Sequence, residues 1–143
     1  MITLSDAIKR DIANAFAEGH PIIVAGVTPD CEPTISFRGT AQPWGDSAIA
    51  FWVRKPEESE FVASIAIHPT VALVYSNMAN RRHYRFLGKA RLVDDPEVNR
   101  QVYDNSHEFE RRQDPDRRGK AVIVELTAVR GRGEDGPFVM TAS

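Results

Sequence analysis

Residues 48–75 read "AIAFWVRKPEESEFVASIAIHPTVALVY", and their punctuation decides the fold. An apolar, aromatic run, Ala48–Val53, stops abruptly at Arg54 and Lys55. Pro56 suits the first turn of a helix, where its missing N–H costs nothing, and Glu57 and Glu58 favour the helix dipole. The helix predicted over 56–67 ends at His68–Pro69, and a second apolar run opens at Thr70. Arg54 and Lys55 therefore stand between a strand end and a helix start. There they either capture an anion, helped by the Ser59 hydroxyl and free backbone N–H groups, or pair with Glu57, Glu58 or Glu60 as a neutral surface turn. Spacing alone leaves both readings open.

Toward the N-terminus, Leu4, Ile8, Ile12 and Phe16 recur every four residues, which predicts a helix with Thr3 as N-cap and Asp6 three residues on. Gly19 and Pro21 stop it. "PIIVAGVT" (21–28) and "EPTISFRG" (32–39) are strands, and Pro29–Asp30 between them predicts a hairpin. "SAIAFWV" (47–53) comes after "QPWGD". Toward the C-terminus, "TVALVYS" and "HYRFLGKARLV" are strands joined by the polar "NMANRR". Residues 94–113 read as a helix started by Asp94 or Asp95 with Pro96, "KAVIVELTAVRG" as a strand, and "GPFVMTA" as a last edge strand. The order is βββαββαβ. Strands and helices do not alternate regularly, so the expectation is a mainly β, α+β fold: a single domain over 1–143 built as a six- to seven-stranded antiparallel barrel flanked by helices.

Composition narrows the function classes. With a net charge of −2, the chain has no global attraction to nucleic acid or anionic membrane, and no basic–aromatic repeat restores one. Cys31 is the only cysteine, which excludes an intrachain disulfide and a thiolate metal cluster. The first residues interrupt their apolar positions with charge, unlike a signal peptide, and no apolar run is long enough to span a bilayer. A cytoplasmic protein is the expectation.

Some motifs mislead. "GRGEDG" (131–136) spells G-x-G-x-x-G, but it leads into a short strand-like tail rather than the helix that must receive a pyrophosphate, so it reads as a turn. "HEFER" (107–111) lacks the second histidine of a zinc helix and reads as a solvated face. Cys31 reads as an incidental thiol and His20 as structural. No nucleophile elbow or P-loop appears. In "NRRHYRFLG" (80–88), alternation sets His83 and Arg85 on one strand face and Arg82 and Tyr84 on the other. "ERRQDPDRRGK" (110–120) reads as a solvated connection.

The order of "EPTISFRGT", "AIAFWVRKPEESEFVASIAIHPTVALVY", "RFLGKARLVDDPE" and "AVIVELTAVRG" resembles the pyridoxamine 5'-phosphate oxidase-like FMN-binding split-barrel family, over about residues 20–130. The resemblance implies a split barrel and a homodimer with two FMN sites at the subunit interface. It implies an oxidoreductase acting on a small molecule, with the phosphate held by basic and hydroxyl groups after the second strand. Ser59 falls where relatives carry the serine of a Ser-Arg-Lys phosphate motif, but Glu60 and Phe61 come next, so the motif is broken. Arg54 and Lys55 stand close enough to replace the lost charge. Arg38 falls near another basic phosphate contact, and His83 near a position that approaches the flavin. Trp44 and Trp52 could pack near the ring, with core packing the simpler reading for Trp52. The broken motif keeps three alternatives open: FMN in a rearranged site, another cofactor such as F420 or haem, or a non-catalytic stress-response module. Haem would call on His20, His68, His83 or His107 as axial ligand. No counterpart of the C-terminal pyridoxal-phosphate contacts is present, so pyridoxamine phosphate oxidase activity itself is not expected.

Overall fold

A computed structural model of the chain describes residues 1–142. Its strands are β1 (Ile22–Val27), β2 (Pro33–Arg38), β3 (Gln42–Trp44), β4 (Ala48–Val53), β5 (Thr70–Asn77), β6 (Arg82–Leu92), β7 (Lys120–Gly133) and β8 (Gly136–Thr141). They form one sheet in the order β2-β1-β5-β6-β7-β4-β3, with β8 paired to β7 and every pairing antiparallel. The sheet curls into a split barrel carrying helices α1 (Asp6–Asn14), α2 (Glu60–Ile67), α3 (Pro96–Asn105) and the single turn α4 (Glu108–Arg111).

Two cores explain the sequence pattern. Inside the barrel, Ile22, Val24, Phe51, Leu73, Tyr84 and Phe86 pack with Ile8 and Ile12 of α1 and with Phe61 and Ile65 of α2. On the outside of β4 and β7, Ala50, Trp52 and Ile123 pack with Val102 and Tyr103 of α3. β4 is thus buried on both faces along its whole length, which is why its sequence is an unbroken apolar run rather than an alternation. β6 is covered on one face only and alternates cleanly.

Local details depart from the sequence reading. The cap of α1 is Ser5, whose Oγ accepts from the Ile8 N–H at 3.2 Å, not Thr3. Pro56–Glu58 form a 3-10 turn, and α2 begins only at Glu60 with Ser59 as its N-cap. The helix predicted over 94–113 breaks at Ser106, where His107 caps the separate turn α4. β3 lies wholly within "QPWGD" (42–46), which separates two strand runs in the sequence reading. The 21–39 hairpin and the β8 edge strand are present, and Glu134–Asp135 close the β7–β8 turn inside "GRGEDG". Among the described residues no helix is long and apolar enough to cross a membrane.

Candidate functional site

The ends of β2 and β4 and the start of α2 converge at one mouth of the barrel. On β2 the pattern is inverted: Thr34, Ser36 and Arg38 turn inward, while Ile35 and Phe37 turn outward at 75% and 70% exposure. The Arg38 guanidinium therefore lies inside, 5.2 Å from the centre of the Phe51 ring and 5.0 Å from that of Phe61. Its Nε is buried without a hydrogen-bond partner. Burial pushes its pKa below the ordinary arginine value, and the positive charge of neighbouring Arg54 pushes it further.

Arg38, Arg54, Lys55 and Ser59 line one cavity of about 670 Å³, whose rim also carries Glu57 and Glu58 and whose wall includes Asp114. Among the described residues neither Arg38 nor Arg54 has a carboxylate partner. Lys55 reaches only Glu58, at 3.9 Å and with both side chains exposed, a contact of little energetic weight. The Ser59 Oγ accepts from the Val62 N–H at 3.1 Å, which leaves its own O–H free to donate. Two unpaired guanidinium groups, a lysine, a hydroxyl and a helix start facing one cavity are suited to binding an anion.

The far wall comes from residues 113–118, read from sequence as a solvated connection. Asp114 is in fact buried and organises the loop. Its carboxylate accepts from Trp52 Nε1–H at 2.9 Å, Gly119 N–H at 2.8 Å and Arg118 N–H at 3.1 Å. Burial alone raises a carboxyl pKa, but these bonds outweigh it and hold Asp114 below the usual range. The anchoring brings Gln113 and Arg118 to the cavity. The only sequence signal of it was an Asp-Pro turn.

Two predicted site residues lie elsewhere. Trp52 is buried, its indole bound to Asp114 and set edge-on against Tyr103 at 5.3 Å, and it only borders a smaller depression of about 290 Å³ next to Arg38 and Arg54. His83 is exposed near the start of β6, paired with Ser76 and Arg132. His83 projects from the exposed face of β6, opposite to the inward face that carries Tyr84, and it does not line the cavity of the cations, so one chain does not bring it to them. A separate buried network was also missed. The Arg82 Nη2 donates to Asp11 Oδ1 at 2.9 Å and the Tyr84 hydroxyl to Asp11 Oδ2 at 2.5 Å, with Asp11 only 4% exposed. Burial, then the bond to Asp11 and its charge, raise the Tyr84 pKa.

No protein-family model and no curated protein sequence matches the chain. Solved structures do. Group A Streptococcus HupZ is 12% identical with a TM-score of 0.69, covering 94% of this chain and 98% of its own. A pyridoxamine 5'-phosphate oxidase-related, FMN-binding protein of Nostoc punctiforme is 12% identical with a TM-score of 0.69, covering 96% and 94%. An F420 reductase is 20% identical with a TM-score of 0.60, covering 77% and 88%. At these identities the likeness establishes a common fold, the split barrel that the sequence resemblance implied.

Proposed function

We propose that the chain is an FMN-binding oxidoreductase that works as a homodimer on a small organic substrate. The observation that carries the reading is Arg38: a half-buried guanidinium whose Nε is buried without a partner, held beside a second cation, Arg54, with no carboxylate in ion-pair reach of either among the described residues. That arrangement is unfavourable in the ligand-free protein and becomes favourable when a phosphate settles between them. Arg38 and Arg54 would clamp the phosphate, Lys55 would add charge at the rim, and the Ser59 hydroxyl would donate to a phosphate oxygen while still capping α2. Bound FMN would supply the hydride or electron transfer, and the protein's part is to clamp and orient it.

The outer face of the sheet supports the dimer. Cross-strand neighbours Ile35, Ala25, Ala72, Leu87 and Ala128 form one row across β2, β1, β5, β6 and β7. Phe37, Ile23 and Val74 run beside it. Such a continuous apolar face suits burial against a second copy. Phe37 also borders the depression beside Arg38 and Arg54, so a protomer seated there would reach the edge of the anion site.

The test is the absorbance spectrum of purified protein before and after adding FMN, with Arg38→Met and Arg54→Met in parallel. A flavin spectrum retained by the native protein and lost by the variants is expected. A colourless protein that does not take up FMN would sink the proposal. The same clamp suits the phosphate of F420, a reading favoured by the F420 reductase neighbour. Competition between the two cofactors decides between them.

A further inference from the structure

The stretch "VRGRGEDG" (129–136) ends β7, and the glycines that imitate a dinucleotide loop serve the strand instead. A Cβ at Gly131 would collide with the His83 carbonyl, so glycine is what lets β6 and β7 approach here. Arg130 and Arg132, on either side of it, face outward by alternation. Directly opposite them on β6, Arg85 pairs with Arg130 and His83 with Arg132. All four side chains are exposed on the outer face of the sheet. Sheet geometry sets them at the corners of a rectangle about 5 Å across the strands and about 6.7 Å along them.

Like charges directly opposite each other destabilise a sheet, and Arg85–Arg130 is such a pair. No carboxylate lies in ion-pair reach of the four among the described residues, although Glu134 and Asp135 follow in the next turn. The flanking strands bring none: Val74 stands beside Arg85, Ser76 beside His83, Val139 beside Arg130 and Pro137 beside Arg132. An anion lying between the facing side chains relieves the repulsion. Charge density selects which anion. An extended acidic peptide turns one carboxylate to a face every ~6.7 Å, which brings two charges to this rectangle. A terminal phosphoryl group alone carries about −1.5 to −2, with three acceptor oxygens that suit the guanidinium fork. Together with the next group of a phosphate chain it balances three arginines.

We propose that Arg85, Arg130 and Arg132, with His83, bind a chain of phosphoryl groups, supplied by free condensed phosphate or by a nucleotide. Arg85 and Arg130 grip one group from two strands, and Arg132 and His83 hold its neighbour. The face is open rather than concave, which suits a charged chain lying along the strands and not an apolar small molecule. The site uses neither Arg38 nor Arg54 and stands whether or not the flavin reading does. Arg85 and Arg130 continue the row of Phe37, Ile23 and Val74, so the site lies at the margin of the apolar face proposed for the dimer.

Isothermal titration calorimetry of the full chain at about 50 mM salt tests it, with tripolyphosphate, ATP, orthophosphate and hexaglutamate as probes. Tripolyphosphate and ATP are expected to bind about tenfold more tightly than the other two, and the tighter of the pair names the source of the phosphates. Arg85→Gln combined with Arg130→Gln should weaken both about tenfold, with the ligand-free melting temperature level or raised because the facing charges are gone. Because the cation cavity also attracts phosphate, the titration is repeated on Arg38→Met/Arg54→Met protein, where tripolyphosphate binding should persist. Binding lost in that protein and kept in the Arg85/Arg130 variant overturns the proposal, as does no binding of tripolyphosphate. Tighter binding of hexaglutamate overturns it in favour of an acidic protein partner. FMN titration answers a separate question, so either result can fail without the other.

Discussion

Replacing Arg38 with methionine separates a binding residue from a structural one, because the two roles predict opposite signs. Methionine keeps the unbranched stem that packs on Phe51 and Phe61 and removes the charge. Without ligand, the native arginine leaves a buried Nε unpaired, a penalty of about 1–3 kcal/mol, and faces the repulsion of Arg54. Against this stand the two cation–π contacts at 5.2 and 5.0 Å, together worth about 1–2 kcal/mol at a half-buried site. The balance favours the variant by about 0–2 kcal/mol, so the ligand-free melting temperature should stay level or rise by up to about 6 °C. Affinity for FMN should move the other way, falling about 10- to 100-fold with the loss of a charged hydrogen bond. Differential scanning fluorimetry of the cofactor-stripped protein and flavin-fluorescence titration read the two quantities. A ligand-free variant destabilised by several degrees, with FMN binding intact, would refute the reasoning and make Arg38 a structural residue.

Other perturbations test the surroundings of the site. Asp114→Ala leaves the Trp52, Arg118 and Gly119 N–H groups without their acceptor, and urea denaturation should show a loss of about 2–4 kcal/mol, with the cavity wall at 113–118 opened to limited proteolysis. Because the Asp114 pKa is depressed on folding, its contribution is present above the ordinary carboxyl pKa and fades as pH falls through the folded value; native and variant stabilities should converge in acid. Tyr84 has the opposite sign: its raised pKa stabilises the fold below pH ~10 and is lost as pH climbs further, so Tyr84→Phe should flatten the fall in stability between about pH 9 and 11. Charging the outer sheet face with Ile35→Glu and Leu87→Glu should convert a dimer into a 16.0 kDa monomer by light scattering, and an unchanged mass would argue against that face as the interface.

How much of the structure was legible in the sequence depends on the range of the interactions involved. The strand end at Arg54–Lys55 could be read from neighbours a few residues apart, since strand periodicity is local. The continuous apolar run of β4 is the local trace of its burial on both faces, which the structure shows. The start of α2 was misjudged because Pro56 and two acids fit any helical first turn, and only the Ser59–Val62 bond shows that the α-helix starts later. The break at Ser106 escaped for a similar reason. Its hydroxyl donates to the Val102 carbonyl inside a sequence of otherwise good helix formers. The loop at 113–118 was opaque because its organising bond joins Asp114 to Trp52, far away in sequence. The inverted face of β2 was hidden too, because alternation says which residues share a face but not which face is wet.

On the proposed phosphate reading, that inversion accounts for the departure at Glu60 and Phe61. The resemblance puts basic residues at positions 60 and 61, on the first turn of the helix, and Phe61 looked like a lost ligand. In the structure Phe61 is buried under the guanidinium of Arg38, 5.0 Å from it, and packs beside Phe51, the two ring centres 5.7 Å apart. A lysine at 61 would turn this aromatic floor into a second buried cation beside Arg38. A methionine or leucine at 38 would make Phe61 an ordinary core residue. The two positions are therefore coupled: on the proposed phosphate reading the clamping charge stands at the ends of β2 and β4 rather than on the helix, and Phe61 supports that cation. The coupling is measurable. In a double-mutant cycle, Arg38→Met and Phe61→Leu should be non-additive for FMN affinity by about 0.5–2 kcal/mol, whereas Arg54→Met and Phe61→Leu, which share no contact, should add. Additivity in the first pair would mean that Phe61 is core alone and that the anion site owes it nothing.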